Sequence, residues 1–195
     1  MAPLMDIGTL IIQTLGSLYL LVVMLRFLFQ LVRADFYNPL SQFVVKATNP
    51  LLMPIRRLVP GIFGIDMAAL ILAVLVQYVA IQLTAFVLGG GLINPLMVVA
   101  WGLVGILGLV ADIFFWSLII MVVASWLAPQ SYNPGLLLVR QLTEPVCEPF
   151  RRLIPPIGGL DISIIFAFLA LNVVKILIGY LASITGTVAV LVPGI

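Results

Sequence analysis

The sequence predicts an all-α integral membrane protein, with four transmembrane helices as two parallel-oriented helix–amphipathic loop–helix repeats. Three observations predict it. Of 195 residues, 64% are hydrophobic and 8% charged, and mean hydropathy is +1.31, whereas a soluble domain carries about a quarter of its residues charged. Four apolar stretches each have the roughly 20 residues needed to cross about 30 Å of hydrocarbon. Sliding the chain against itself by 95 residues aligns 37–66 with 132–161 without a gap, at 14 of 30 positions identical. A repeat of that quality outranks local propensity as evidence of architecture.

The first span is expected over 7–32, interrupted only by Gln13, Arg26 and Gln30. Asp6 stands where a secretory signal would carry a basic residue, so this segment reads as a retained membrane helix. The second span is expected over 67–88, closing a first repeat of residues 1–90. An inter-repeat linker is expected over 91–101, beginning within "GGGLINP", residues 89–95. The third and fourth spans are expected over 102–127 and 162–185, within a second repeat of residues 102–195. The 36 residues from Leu92 to Leu127 carry one charge, Asp112, and leave open a re-entrant element within 92–110.

Two spans per repeat give both copies one orientation, unlike inverted transporter repeats. Arg33, Lys46, Arg56 and Arg57 lie in or beside the first proline-rich loop, and Arg140, Arg151 and Arg152 in the second. The connection between repeats has no basic residue, so the positive-inside rule puts both loops in the cytoplasm and both termini in the periplasm.

Each loop begins with Asn-Pro, Asn38-Pro39 or Tyr132-Asn133-Pro134, a helix cap followed by proline at the first helical position. In the first loop, Thr48-Asn49-Pro50 is expected to restart the helix. Leu51, Ile55, Leu58 and Val59 then share one face, with Arg56 and Arg57 on the other. Such a helix suits the headgroup plane, arginines against anionic lipid phosphates. Asp66 and Asp161 directly precede the next spans and suit their N-caps. Arginines that are only topology anchors could equally be lysines, yet Arg56, Arg57, Arg151 and Arg152 are arginine in both copies, which favours bidentate contacts to a headgroup or a partner.

Within the spans, Arg26 lies close enough to the cytoplasmic end to snorkel. Asp112, 15 residues from Leu127, and Lys175, 13 residues into the fourth span, reach similar depths of about 20 Å. A lone charge there is costly, so these two are expected to pair. Gln77 and Asn172 occupy equivalent repeat positions and are expected to hydrogen-bond across the symmetry axis as packing glue, or to line a polar path. Gly102, Gly105 and Gly108 form a small-residue face for close helix contact.

The same inventory excludes several classes. There is no histidine and one cysteine, Cys147, so no cofactor, zinc or haem is expected. A net charge of +2 argues against nucleic acid as a partner. No nucleophile, base and metal converge, so no enzyme is expected.

"NPLLMPIRRLVPGIFGID" and "EPVCEPFRRLIPPIGGLD", each between two apolar spans, resemble the YggT (YlmG) family, and their duplication resembles the form found in Gram-negative bacteria. The matching positions are Asn38, Pro39, Pro50, Pro54, Arg56, Arg57, Pro60, Gly64 and Asp66, with counterparts 95 residues on, over about residues 10 to 185. The resemblance implies a bacterial inner-membrane location. It links plastid and cyanobacterial one-unit relatives to cytochrome b6 haem attachment and to nucleoid or division organisation, and bacterial ones to cation or osmotic homeostasis. It carries over no catalytic residue, and without histidine no haem-ligand role. Two expectations follow: a non-enzymatic scaffold or assembly factor acting through paired cytoplasmic loops, with a membrane or cytoplasmic protein partner or a second copy of itself, or else a cation channel or transporter.

Overall fold

A computed structural model describes residues 2–61, 64–127, 132–153, 161 and 163–193. The repeat positions Pro155 and Gly159, and Ile162 at the expected start of the fourth span, lie outside the described residues. The described chain is helical: α1 (Ala2–Leu31), α2 (Pro39–Leu58), α3 (Met67–Val87), α4 (Pro95–Leu127), α5 (Pro134–Leu153) and α6 (Ser163–Ile184), followed by a 3-10 turn at Ala189–Leu191. Helices α1, α3, α4 and α6 are long and apolar enough to span a membrane. Each repeat is therefore span, amphipathic helix, span.

Helix α1 packs mainly on α3 and α4 on α6, while α3 against α4 joins the repeats. The α1–α3 contact is close because α3 turns Ala68, Ala69 and Ala73 toward Leu20, Val23, Met24 and Leu28 of α1. Small residues supply such contacts in membranes, where the hydrophobic effect does not press helices together. A separate cluster of Leu118, Cys147, Ala167 and Leu171 fills the second repeat.

Two boundaries differ from expectation, and Asn-Pro chemistry explains the first. Helix α4 begins at Pro95, seven residues before Gly102, and runs unbroken for 33 residues, so 92–110 contains no re-entrant element and the linker ends at Asn94. The Asn94 side chain accepts from the Leu96 amide at 2.9 Å, as Asn38 does from Leu40 at 2.9 Å and Asn133 from Gly135 at 2.8 Å. At 1.5 Å per residue α4 is about 50 Å long, well beyond the hydrocarbon thickness.

Helix α2 does not restart at Pro50. It continues through Pro50 and Pro54, just as α5 continues through Pro145 and Pro149. An internal proline removes a helical hydrogen bond and bends the helix away from the carbonyl four residues back. The face of α2 turned to the bundle carries Ser41, Val44, Thr48 and Leu52, whereas Leu51 and Leu58, expected on its apolar side, are exposed. The repeated glycine has a plain cause at Gly64, whose φ of +82° disfavours any L side chain.

The chain after α6 folds back into the bundle at the end opposite α2 and α5. Thr185 O accepts from Trp101 Nε1 at 2.9 Å, Val190 O accepts from Gln13 Nε2, and Val192 is buried with Ile81, Val98 and Trp101.

Candidate functional site

The repeated arginine and aspartate hold each other. In the first repeat Arg56 forms an ion pair with Asp66 through Nη2 and Oδ2, and Nη2 also donates to Gln30 Oε1 at 3.2 Å. Asp66 is buried, and its Oδ1 accepts from the Ala69 amide at 3.3 Å. In the second repeat Arg151 Nε meets Asp161 Oδ2 at 2.7 Å and its Nη1 meets Glu144 Oε1 at 2.7 Å. Asp161 Oδ1 accepts from the Ser163 amide at 3.1 Å. One carboxylate thus caps a span and clasps the interfacial helix leading to it. Burial works against ionisation of Asp161, but hydrogen bonds from Ser163 and Arg151 outweigh it and hold the carboxyl below its ordinary value. Burial likewise opposes the charge on Arg151, and the bonds to Asp161 and Glu144 raise its pKa overall.

The second arginines diverge. Arg152 Nε contacts Glu148 Oε1 at 3.0 Å on the surface, a pair of a kind worth about 0–1 kcal/mol. Arg57 has no such carboxylate among the described residues; it lines a shallow groove with Lys46, Asn49, Pro50, Met53 and Pro54. The first loop therefore presents uncompensated positive charge, and the second a neutralised one. The two loops touch where Asn38 Nδ2 donates to Pro134 O at 2.7 Å and Gln141 Oε1 accepts from the Asp35 amide at 3.0 Å.

Arg26 does not snorkel. It is 7% exposed and turns toward the middle of α2, where its Nη1 donates to Thr48 Oγ1 at 2.6 Å, Asn49 Oδ1 at 2.8 Å and Val45 O at 3.1 Å. Helix α2 offers carbonyl and side-chain acceptors nearer than the headgroups. Depth alone could not reveal this, but the repeat offered a signal: position 121, 95 residues on, is Met, and there Thr143 Oγ1 lies 3.2 Å from Met121 Sδ. The pocket is the same in outline, without the charge.

Asp112 and Lys175 come together, Nζ to Oδ1 at 2.6 Å, with the ammonium also 4.9 Å from the Phe115 ring centre, within cation–π range. Gln77 and Asn172 do not meet. Gln77 is fully buried and donates to Pro193 O at 2.8 Å. Asn172 is exposed and donates to Phe168 O one turn back at 2.8 Å. Gly102 and Gly105 do make a close contact face: a Cβ at Gly102 would lie 3.0 Å from Gln77 Cβ, and one at Gly105 would lie 2.7 Å from Gln77 Nε2. Cys147 is buried, and burial pushes its thiol pKa up, as for an ordinary core residue. Among the described residues, no three His, Cys, Asp or Glu side chains form a group that could hold a metal.

The CCB3/YggT family model matches the chain twice, over residues 5–87 and 100–182. Each match takes in one pair of spans with the helix between them. An uncharacterised protein of Pseudomonas aeruginosa is 56% identical over 180 residues, covering 90% of each chain. The uncharacterised protein YggT of Escherichia coli K12 is 35% identical over 192 residues, covering 98% of each. A chloroplastic YlmG homologue of Arabidopsis thaliana is 40% identical over 79 residues, 39% of this chain and 28% of the relative. No solved structure matches. With its Arg–Asp clasp formed once in each of the two matched segments, the chain belongs to the YggT family in a duplicated form.

Proposed function

We propose that this protein is a non-enzymatic scaffold or assembly factor of the inner membrane, organising a membrane or cytoplasmic protein through α2 and α5. The observation that carries this reading is the joined pair of amphipathic helices at one end of the bundle, linked by the Asn38–Pro134 hydrogen bond. Their outer surface presents Phe43, Leu51, Met53, Leu58 and Leu153 together with Arg57 and Arg152. By the charge asymmetry of the loops this end faces the cytoplasm and both termini the periplasm. The non-enzymatic reading is supported by the engagement of the candidate carboxylates: Asp66 and Asp161 in clasps, Asp112 with Lys175.

The test is photocrosslinking in living cells from probes at positions 53 and 58, in otherwise native protein and in an Arg57→Glu, Arg152→Glu variant. A discrete partner band lost in the charge-reversed protein supports the reading. Only lipid adducts in both proteins would count against it.

A second reading, cation transport, is favoured by one observation. Asp112 and Ser117 face a cavity of about 560 Å³ between α1, α4 and α5. Cation flux in proteoliposomes that disappears in a folded Asp112→Asn variant would favour it over scaffolding.

A further inference from the structure

At the end of the first repeat that carries α2, a cavity of about 370 Å³ lies between the last turns of α1 and the inner side of α2. Three guanidinium groups line it, Arg26, Arg33 and Arg56, together with Gln30 and Ser41. Among the described residues only Asp66 offsets them by direct ion pairing, and it is committed to Arg56. Asp35, next in sequence, turns Oδ1 to the Tyr37 amide at 2.9 Å instead. Arg26 meets only neutral acceptors, and Arg33 has no ion-pair partner among the described residues. Two polar groups in this lining are more than nine-tenths buried and incompletely satisfied: Arg26 Nε and Ser41 Oγ have no hydrogen-bond partner. A buried donor left unpaired is costly, and here both belong to a concave, strongly positive wall.

The remaining wall is apolar, from Phe29, Phe36, Val44 and Val45. Arg26 lies five residues inside the end of α1, about 8 Å along the helix. The cavity thus runs from headgroup level a short way into the hydrocarbon.

The second repeat lacks these residues. In place of Arg26, Gln30, Arg33 and Ser41 it carries Met121, Ser125, Ala128 and Leu136. The clasp is duplicated, but the positive lining is not. A requirement common to both units, such as anchoring or folding, would place it in both.

We propose that this cavity is a binding site for one phosphate-bearing anion at headgroup level, held by Arg26, Arg33 and the free edge of Arg56, with Ser41 and Gln30 as hydrogen-bonding neighbours. Guanidinium forks match phosphate geometry, and the apolar wall suits the glycerol and first acyl carbons of an anionic phospholipid. The site does not depend on whether the protein acts as a scaffold.

The experiment is native mass spectrometry of the full-length protein released from detergent. It is titrated separately with phosphatidylglycerol, phosphatidylethanolamine and inorganic phosphate. The expected result is one phosphatidylglycerol held about tenfold or more tightly than phosphatidylethanolamine, with about tenfold weaker binding in Arg26→Met and in Arg33→Gln. An Arg140→Gln control, at an exposed arginine of the second repeat, binds like the original protein. Arg26→Met borrows the residue of the second repeat, and Arg33→Gln changes an exposed side chain, so a folding defect in one leaves the other to decide. Inorganic phosphate bound with the same arginine dependence, with no lipid bound, supports the phosphate site with a soluble anion as its source. Equal binding of the two lipids, or binding unchanged in both arginine variants, overturns the proposal.

Discussion

Removing one partner of the Asp112–Lys175 pair is the sharpest test of how the second repeat tolerates charge inside the membrane. At 2.6 Å and an effective dielectric of about 20, the gross attraction is about 6 kcal/mol, most of it offset by the cost of desolvating two ions. Both side chains are about two-fifths exposed, so a lone Lys175 could bend toward the interface and recover part of its solvation. A lone charge at a helix centre costs about 2.5–3.5 kcal/mol on insertion scales. With that relief, Asp112→Asn should destabilise the protein by about 1.5–3 kcal/mol. Lys175→Met should cost a similar amount by stranding the carboxylate. The double variant strands neither and should be more stable than the sum of the two losses implies, with a coupling of about 1–2 kcal/mol. Reversible unfolding in mixed micelles, carried through all four corners of the cycle, measures it. A coupling below about 0.5 kcal/mol would refute the argument and leave the contact as a surface pair of no consequence.

The two clasps should differ in strength. Asp66→Ala removes a buried cap and an ion pair and should cost about 2–4 kcal/mol; Asp161→Ala, at a more exposed carboxylate, should cost about 1–2 kcal/mol in the same assay. Because the folded pKa of Asp161 lies below its ordinary value, the stabilisation is complete above about pH 3.9 and is lost as pH falls through the depressed value. Hydrogen exchange at the start of α6 should accelerate in that acidic window, and Asp161→Asn should flatten the response. A Cβ at Gly105 would lie 2.5 Å from Val192 Cγ1, so Gly105→Ala should cost about 1–3 kcal/mol by overpacking. Gly179→Ala, with nothing within 4 Å, should be neutral or stabilising by up to about 1 kcal/mol; equal effects at both glycines in thermal unfolding would dismiss the packing account.

What could be read in the sequence depended on whether one variable governed the feature. Hydrophobic length governs spans, so α1, α3 and α6 fall close to expectation. Helix α4 does not, because apolar composition alone cannot separate span from overhang, and its start is set by the cap at Asn94-Pro95. Asp66 and Asp161 were legible as caps because they precede apolar runs, but their ion pairs required knowing that α2 survives two prolines and delivers its last turn beside α3. Depth alone points Arg26 toward the interface, whereas the acceptors that α2 brings beside it, Thr48 Oγ1, Asn49 Oδ1 and Val45 O, decide its direction. Gln77 and Asn172 share a repeat position and not an environment. Internal symmetry of sequence says which residues correspond, and the fold-back of residues 185–193, which reaches Gln77 while Asn172 stays exposed, breaks that correspondence.

That fold-back has a consequence for how the protein is made. Gln77 sits in α3, the second span to be synthesised, yet its side-chain Nε2 donates to the carbonyl of Pro193, 116 residues later. Until α6 has been inserted and the chain after it has turned back, this amide has neither its acceptor nor the cover of Val192. The first repeat is thus completed by the second, and the earliest pair of spans must wait in the bilayer with an open polar seam. Arrest of translation just after α6, probed by accessibility of a cysteine placed at position 77, would capture that waiting state.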